Sequence, residues 1–175
     1  MNPYNSLAKK AVETFIEKQE FISFPKNTPK KLLNQKKGVF VTIEKNGNLR
    51  ACIGTYLPTQ KNIAEEIIQN AVSAATEDYR FGPIKKEELS ELRYTVYLLE
   101  QPQLIDNIRE LNPKKYGIIV KTVGLPLKSA LLLPGLRGID TIEKQISVAC
   151  QKGEINPNIE KLAIYKFSVR KFKEK

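Results

Sequence analysis

The chain has 175 residues, of which 29 are Lys or Arg, 19 are Asp or Glu and none is His, for a formal net charge of +10 with 41% apolar content. That length suits one domain with at most a small appended lobe. The missing histidine excludes Ser-His-Asp and Cys-His catalysis, histidine-bound zinc or haem, and an imidazole proton shuttle.

Residues 3–20 read as an amphipathic helix: Asn2 can cap it, Pro3 suits its first turn, and Leu7, Ala11, Val12, Phe15 and Ile16 form one stripe. A loop-like segment, 26–37, follows with Lys26, Lys30, Lys31, Lys36 and Lys37 and no acid, so it contributes +5. Gly38–Ile43 is a β-rich run, Asn46-Gly47 supplies a type I′ turn, and Leu49–Tyr56 returns as the second strand of a hairpin. A helix over 62–77 carries Ile63, Ile67, Ala71, Val72 and Ala75 on one face, with Asn62 and Glu65 as a capping box. Strands are expected at 92–99, 116–121 and 127–133, the last two joined at Val123-Gly124. Asp140 with Glu143 opens a helix that ends near Gly153, and Leu162–Val169 alternates as a final strand. Interspersed helices and strands with short strand–strand turns predict an α+β domain whose mixed sheet is largely antiparallel.

The end of the chain is basic: Lys166, Arg170, Lys171, Lys173 and Lys175 against Glu174 give the segment 166–175 a charge of +4. Solvated surface lysines explain both basic stretches, and a phosphate-contacting patch explains them if the fold brings them together. Neither stretch carries an RNP-like, zinc-finger or helix-turn-helix pattern. Cys52 and Cys150 stand apart with no C-x-x-C spacing, which excludes a cysteine zinc site and a dithiol and points to a reduced, intracellular protein. Cys150 continues the stripe Ile142, Ile146, Ala149 and reads as core. No apolar run is long enough for a membrane span and no leader pattern opens the chain, so a soluble cytoplasmic protein is expected. Without G-x-G-x-x-G, G-x-x-x-x-G-K-[ST] or a D-x-D pair, no cofactor or metal is expected.

In the second hairpin strand, alternation sends Leu49, Ala51 and Ile53 one way and Arg50, Cys52 and Gly54 the other. A guanidinium beside a thiol favours the thiolate, which makes Cys52 a candidate nucleophile, and Gly54 leaves room for a ligand on that face. With a two-residue turn, Val41 faces Cys52 and Ile43 faces Arg50, an apolar setting that suits a structural cysteine; a slip of one residue reverses it. The strand 49–55 is about 23 Å long and the helix 62–77 about 24 Å. A helix packed back along the strand therefore returns Asp78, Tyr79 and Arg80 to Arg50. Arg50 and Arg80 would bind a small anionic or polar group, Asp78 would orient an arginine or accept a proton, and Tyr79 would donate a hydrogen bond. The alternative is an Arg–Asp pair that only fixes the helix end.

Leu49-Arg50-Ala51-Cys52-Ile53-Gly54 resembles the Leu-Arg-Gly-Cys-Ile-Gly signature of the AMMECR-type domain family. Asp78, Arg80-Phe81 and Pro83 are similar to its next segment, and Leu131-Leu132-Leu133-Pro134 to a later one, so the resemblance covers about residues 5–172. It implies a single α+β domain over 1–175 with a larger and a smaller lobe, and no settled activity. It also implies a modification pathway shared with Memo-like and radical-SAM proteins, while human relatives imply a regulatory, protein-binding role. Ala51 departs from the signature glycine, and Gly138-Ile139-Asp140 stands where many relatives carry Trp. Three functions follow as expectations: a cleft lined by Arg, Cys and Asp, enzymatic or not; a non-enzymatic protein-binding module; and nucleic-acid binding through the lysines.

Overall fold

In a computed structural model describing residues 2–173, the first helix starts as its sequence implies, with Asn2 Oδ1 accepting the Asn5 N–H at 3.0 Å. In chain order the elements are α1 (Pro3–Lys18), α2 (Lys30–Asn34), β1 (Gly38–Lys45), β2 (Asn48–Thr55), α3 (Ile63–Glu77), β3 (Leu92–Leu99), β4 (Gln103–Leu104), β5 (Gly117–Thr122), β6 (Ser129–Leu132), α4 (Ile142–Lys152), β7 (Leu162–Phe167) and β8 (Val169–Lys173). They build two four-stranded antiparallel sheets with packed helices, an α+β fold in two units: residues 2–99 with 170–173, and residues 100–169. Among the described residues no helix is long and apolar enough to cross a membrane.

The first unit carries the sheet β2-β1-β3-β8. Val39, Val41 and Ile43 of β1 lie opposite Leu98, Val96 and Tyr94 of β3, and all six are buried on the face that meets α1 and α3. Each such aliphatic side chain contributes roughly 1.5–3 kcal/mol on burial. Asn62 caps α3 through Glu65 N–H at 2.9 Å. The Lys-rich segment is not all loop: Leu32, buried in the core, anchors the short helix α2.

The hairpin turn is the two-residue one expected, with Asn46 at φ 52° and Gly47 at φ 78°. Its register is not. Thr42 lies opposite Cys52 and Ile43 opposite Ala51, whereas Leu49 pairs with Glu44, which leaves Arg50 as the extra residue of a β-bulge. The apolar neighbour expected for the sulfur, Val41, pairs with Ile53 instead. Strict alternation also fails at the bulge: Ala51 is fully buried while Leu49 is exposed.

The second unit carries the sheet β4-β7-β5-β6 with α4 packed on it. Thr141, not Asp140, caps α4: its Oγ1 accepts the Lys144 N–H at 3.2 Å. Cys150 is buried beside Ile118, Val120 and Ile155. The last expected strand, 162–169, divides after Phe167: β7 stays in the second sheet, and β8 returns to the first. The basic tail is therefore strand up to Lys173, and Glu174 and Lys175 lie outside the described residues.

Candidate functional site

The strand β2 is an edge of its sheet, so the outward N–H and C=O of alternate residues need partners from elsewhere. At Cys52 they find them at the end of α3. Asp78, 3% exposed at the helix C-cap, accepts the Cys52 N–H on Oδ2 at 2.8 Å. Arg80 closes the other half, its Nη2 donating to the Cys52 carbonyl at 3.2 Å and to Asp78 Oδ2 at 2.7 Å, while Nε reaches Oδ1 at 2.9 Å. The ion pair thus fills the hydrogen-bonding places of a neighbouring strand at one residue, on the two peptide units that flank it. The Arg80 hydrogen bond, helped by the Cys52 N–H, holds the Asp78 carboxyl below its ordinary value against the opposing effect of burial.

The helix end does return to the strand, two residues further along than the length argument placed it. Asp78 and Arg80 meet Cys52, and Arg50 meets the turn after them. Arg50 forms a bidentate pair with Glu88, Nε to Oε1 and Nη2 to Oε2, each at 3.0 Å. Its Nη1 donates to the Gly82 carbonyl at 3.1 Å and its Nη2 to the Pro83 carbonyl at 3.0 Å. Four donations therefore hold a guanidinium that has five N–H groups. Glu88 in turn accepts the Lys85 N–H at 2.9 Å and Lys45 Nζ at 3.3 Å. The fork of Arg50 first, then these neighbours, bring its carboxyl down to about 2. Sequence reasoning missed Glu88, which lies 38 positions from Arg50 and in no recognisable motif.

Two other candidates stand differently from expectation. Gly54 does not open space for a ligand: a Cβ there would collide with the Val39 carbonyl oxygen and the Phe40 ring, which fills the position opposite. Tyr79 is 93% exposed and makes no hydrogen bond to the ion pairs among the described residues. Arg80 keeps its whole Nη1 group unbonded among the described residues, whereas Arg50 keeps a single N–H. The Arg80 guanidinium also lies 5.2 Å from the centre of the Phe81 ring. Ala51, at the signature's glycine position, has no positive φ and fits its methyl group wholly into the core.

Cys52 itself is half-buried on the face of the sheet turned away from the helices. The Thr42 hydroxyl donates to its Sγ at 3.1 Å, and Thr42 is also hydrogen-bonded to the Tyr97 phenol on β3. Burial above all, with the Glu44 carboxylate adding to it, pushes the Tyr97 hydroxyl above its ordinary value; Lys173 and the Thr42 bond oppose this. Lys171 of β8 places Nζ 5.3 Å from the Tyr97 ring centre. A thiol, a hydroxyl, a phenol and an ammonium therefore cross the four strands on a diagonal, since Tyr97 lies opposite Phe40 and Thr95 opposite Thr42. Both cysteines are unbridged, and burial raises the Cys150 thiol above its usual value.

A second missed residue lies behind this strand. Glu66 on α3 is 1% exposed and accepts Thr55 Oγ1 at 2.6 Å, Thr59 N–H at 2.7 Å, Thr59 Oγ1 at 2.8 Å and Gln60 N–H at 2.7 Å. It ties the loop after β2 to the helix. An acid on the apolar side of α3 was the available signal. Among the described residues, no group of three or more Cys, Asp and Glu is placed to hold a metal ion.

The profile of the AMMECR1 family matches residues 5–172. A protein of Thermotoga maritima is 39% identical over 173 residues, covering 98% of each chain. One from Clostridium acetobutylicum is 41% identical over 174 residues, covering 99% of this chain and 36% of its own length. The crystal structure of an uncharacterised Pyrococcus horikoshii protein superposes with a TM-score of 0.89 at 32% identity, over 98% of this chain and 90% of that one.

Proposed function

This chain belongs to the AMMECR1 family, and we propose that its signature strand holds the Cys52 thiol in place to meet a small polar or anionic group on the helix-free face of the first sheet. The observation that carries this reading is the Asp78–Arg80 grip on both the N–H and the C=O of Cys52. A residue that only filled the core would not need its peptide fixed from the sheet edge while its sulfur stays half-exposed. Thr42 and Tyr97 supply hydroxyls beside the sulfur, and Lys171 and Lys173 supply positive charge. Arg50, bound to Glu88, serves as scaffold, so the anion-binding share of the arginines rests with the Nη1 group of Arg80. We place this activity in the cytoplasm, in the modification pathway with Memo-like and radical-SAM proteins that the family resemblance implies.

Iodoacetamide labelling between pH 6 and 9, read by mass spectrometry at each cysteine, tests the proposal. Cys52 should be alkylated in the folded protein well ahead of Cys150. Arg80→Gln should slow that reaction by removing the cation whose charge interacts with Cys52. Alkylation of Cys52 only on unfolding would refute the proposal.

A protein-binding role is the second reading, favoured by Tyr79 and Phe81, which are exposed on either side of Arg80. Tyr, Phe and Arg are the residues enriched at interface centres. Tyr79→Ala with Phe81→Ala should then abolish co-purification with a Memo-like protein and leave Cys52 alkylation unchanged; retained co-purification would remove this reading. Nucleic-acid binding through the lysines is the weaker alternative. Lys166 is paired with Glu110 at 2.6 Å, so one cation of the tail is already engaged.

A further inference from the structure

The end of the chain forms the outermost strand of the first sheet, opposite the edge gripped by Asp78 and Arg80. The strand β8 has the sequence Val169-Arg170-Lys171-Phe172-Lys173, with three cations and no acid, and all three cations are exposed. Its position is fixed from one face: the Phe172 ring stacks on Tyr4 of α1, with centroids 3.8 Å apart and planes 15° apart. Among the described residues, no backbone hydrogen bond joins β8 to anything but its sheet neighbour β3. Where β2 has its outward peptide groups capped by an ion pair, β8 leaves its own uncapped.

An open, anchored strand edge is a template for one more strand. Lysine and arginine along it repel a second copy of the same edge and favour a chain of opposite charge. Five residues at ~3.3 Å each give a run of about 17 Å, enough for a short segment to pair with. We propose that β8 is a docking edge for an acidic peptide segment, which adds as a fifth strand: its backbone pairs with β8 and its carboxylates meet Arg170, Lys171 and Lys173. This edge borders the Cys52 face and shares Lys171 and Lys173 with it, but its strand pairing does not need the thiol.

Fluorescence anisotropy with the full chain tests it, using a short fluorescein-labelled peptide of paired glutamates separated by threonine, which puts carboxylates on both faces of the added strand. Binding is expected at low salt, weakening as salt rises, and Arg170→Glu with Lys173→Glu should weaken it about tenfold or more, since two exposed charge pairs turn repulsive. A strand pairs through alternate amides only. N-methylation of every second amide should therefore abolish binding in one register and spare it in the other. Both registers binding equally well would reduce the interaction to charge alone and overturn the proposal. So would tighter binding of oligo-dT, absence of binding at low salt, or unchanged binding by the charge-reversed variant with an unchanged melting temperature.

Discussion

Replacing Arg50 with Gln removes the fork that Glu88 receives and leaves Glu88 the weaker contact with Lys45. The folded-state carboxyl stands at about 2 against an ordinary 4.5. At about 1.4 kcal/mol for each tenfold change in acidity, that gap corresponds to at most about 3.5 kcal/mol. The two side chains keep 14% and 15% of their surface in water, and Lys45 and the Lys85 N–H share in the effect, so about 2 kcal/mol is expected from Arg50 itself. Because the folded carboxyl is the more acidic, this stability is fully present above the unfolded value near 4.5 and disappears as the pH falls toward 2. Urea unfolding of the wild type and Arg50→Gln, run from pH 7 downward, should therefore give curves about 2 kcal/mol apart at neutrality that converge in acid. A gap that stays constant with pH would refute the ion-pair account. A fully stable variant would refute the scaffold role of Arg50 and return its guanidinium to ligand binding.

Three further substitutions test the strand and its support. Gly54→Ala drives a methyl group into the Val39 carbonyl and the Phe40 ring, and should lower the thermal midpoint at a cost of about 1–3 kcal/mol. Ala51→Gly restores the family signature yet should cost about 1 kcal/mol in urea unfolding, since it empties a core position and loosens the unfolded chain. Glu66→Ala leaves the Thr59 and Gln60 amides without their acceptor; proteolysis should then cut within 56–61 in the folded variant at protease levels that spare the wild type.

The hairpin, the three long helices and the strand β3 were legible because each is set by local chemistry: the Asn46-Gly47 turn, the Asn2 and Asn62 caps, the period of the apolar residues. The bulge at Arg50 was not, because nothing within 49–55 distinguishes a bulged register from a regular one. That single extra residue exchanged Val41 for Thr42 beside Cys52, and with it an apolar setting for a polar one. The meeting of Asp78 and Arg80 with the signature strand followed from element lengths, which are good to about two residues. Glu88 was hidden because an arginine's choice of carboxylate depends on how the chain folds back after Pro83. β8 was hidden because a basic terminus reads as solvated until a neighbouring strand and the Tyr4 ring receive it.

That return of the chain has a consequence for lineage and engineering. Residues 100–169 are a parenthesis in the first unit: the chain departs at the end of β3 and resumes in β8, the next strand of the same sheet. The opening and closing of the parenthesis touch, with Glu100 N–H bonded to the Ser168 carbonyl at 3.0 Å. A gap that narrow can be closed by a hairpin turn. Cys52, Asp78, Arg80 and both outer strands of their sheet all lie outside residues 100–169, apart from Val169 at the start of β8, so the candidate site is encoded by the two segments that flank the insertion.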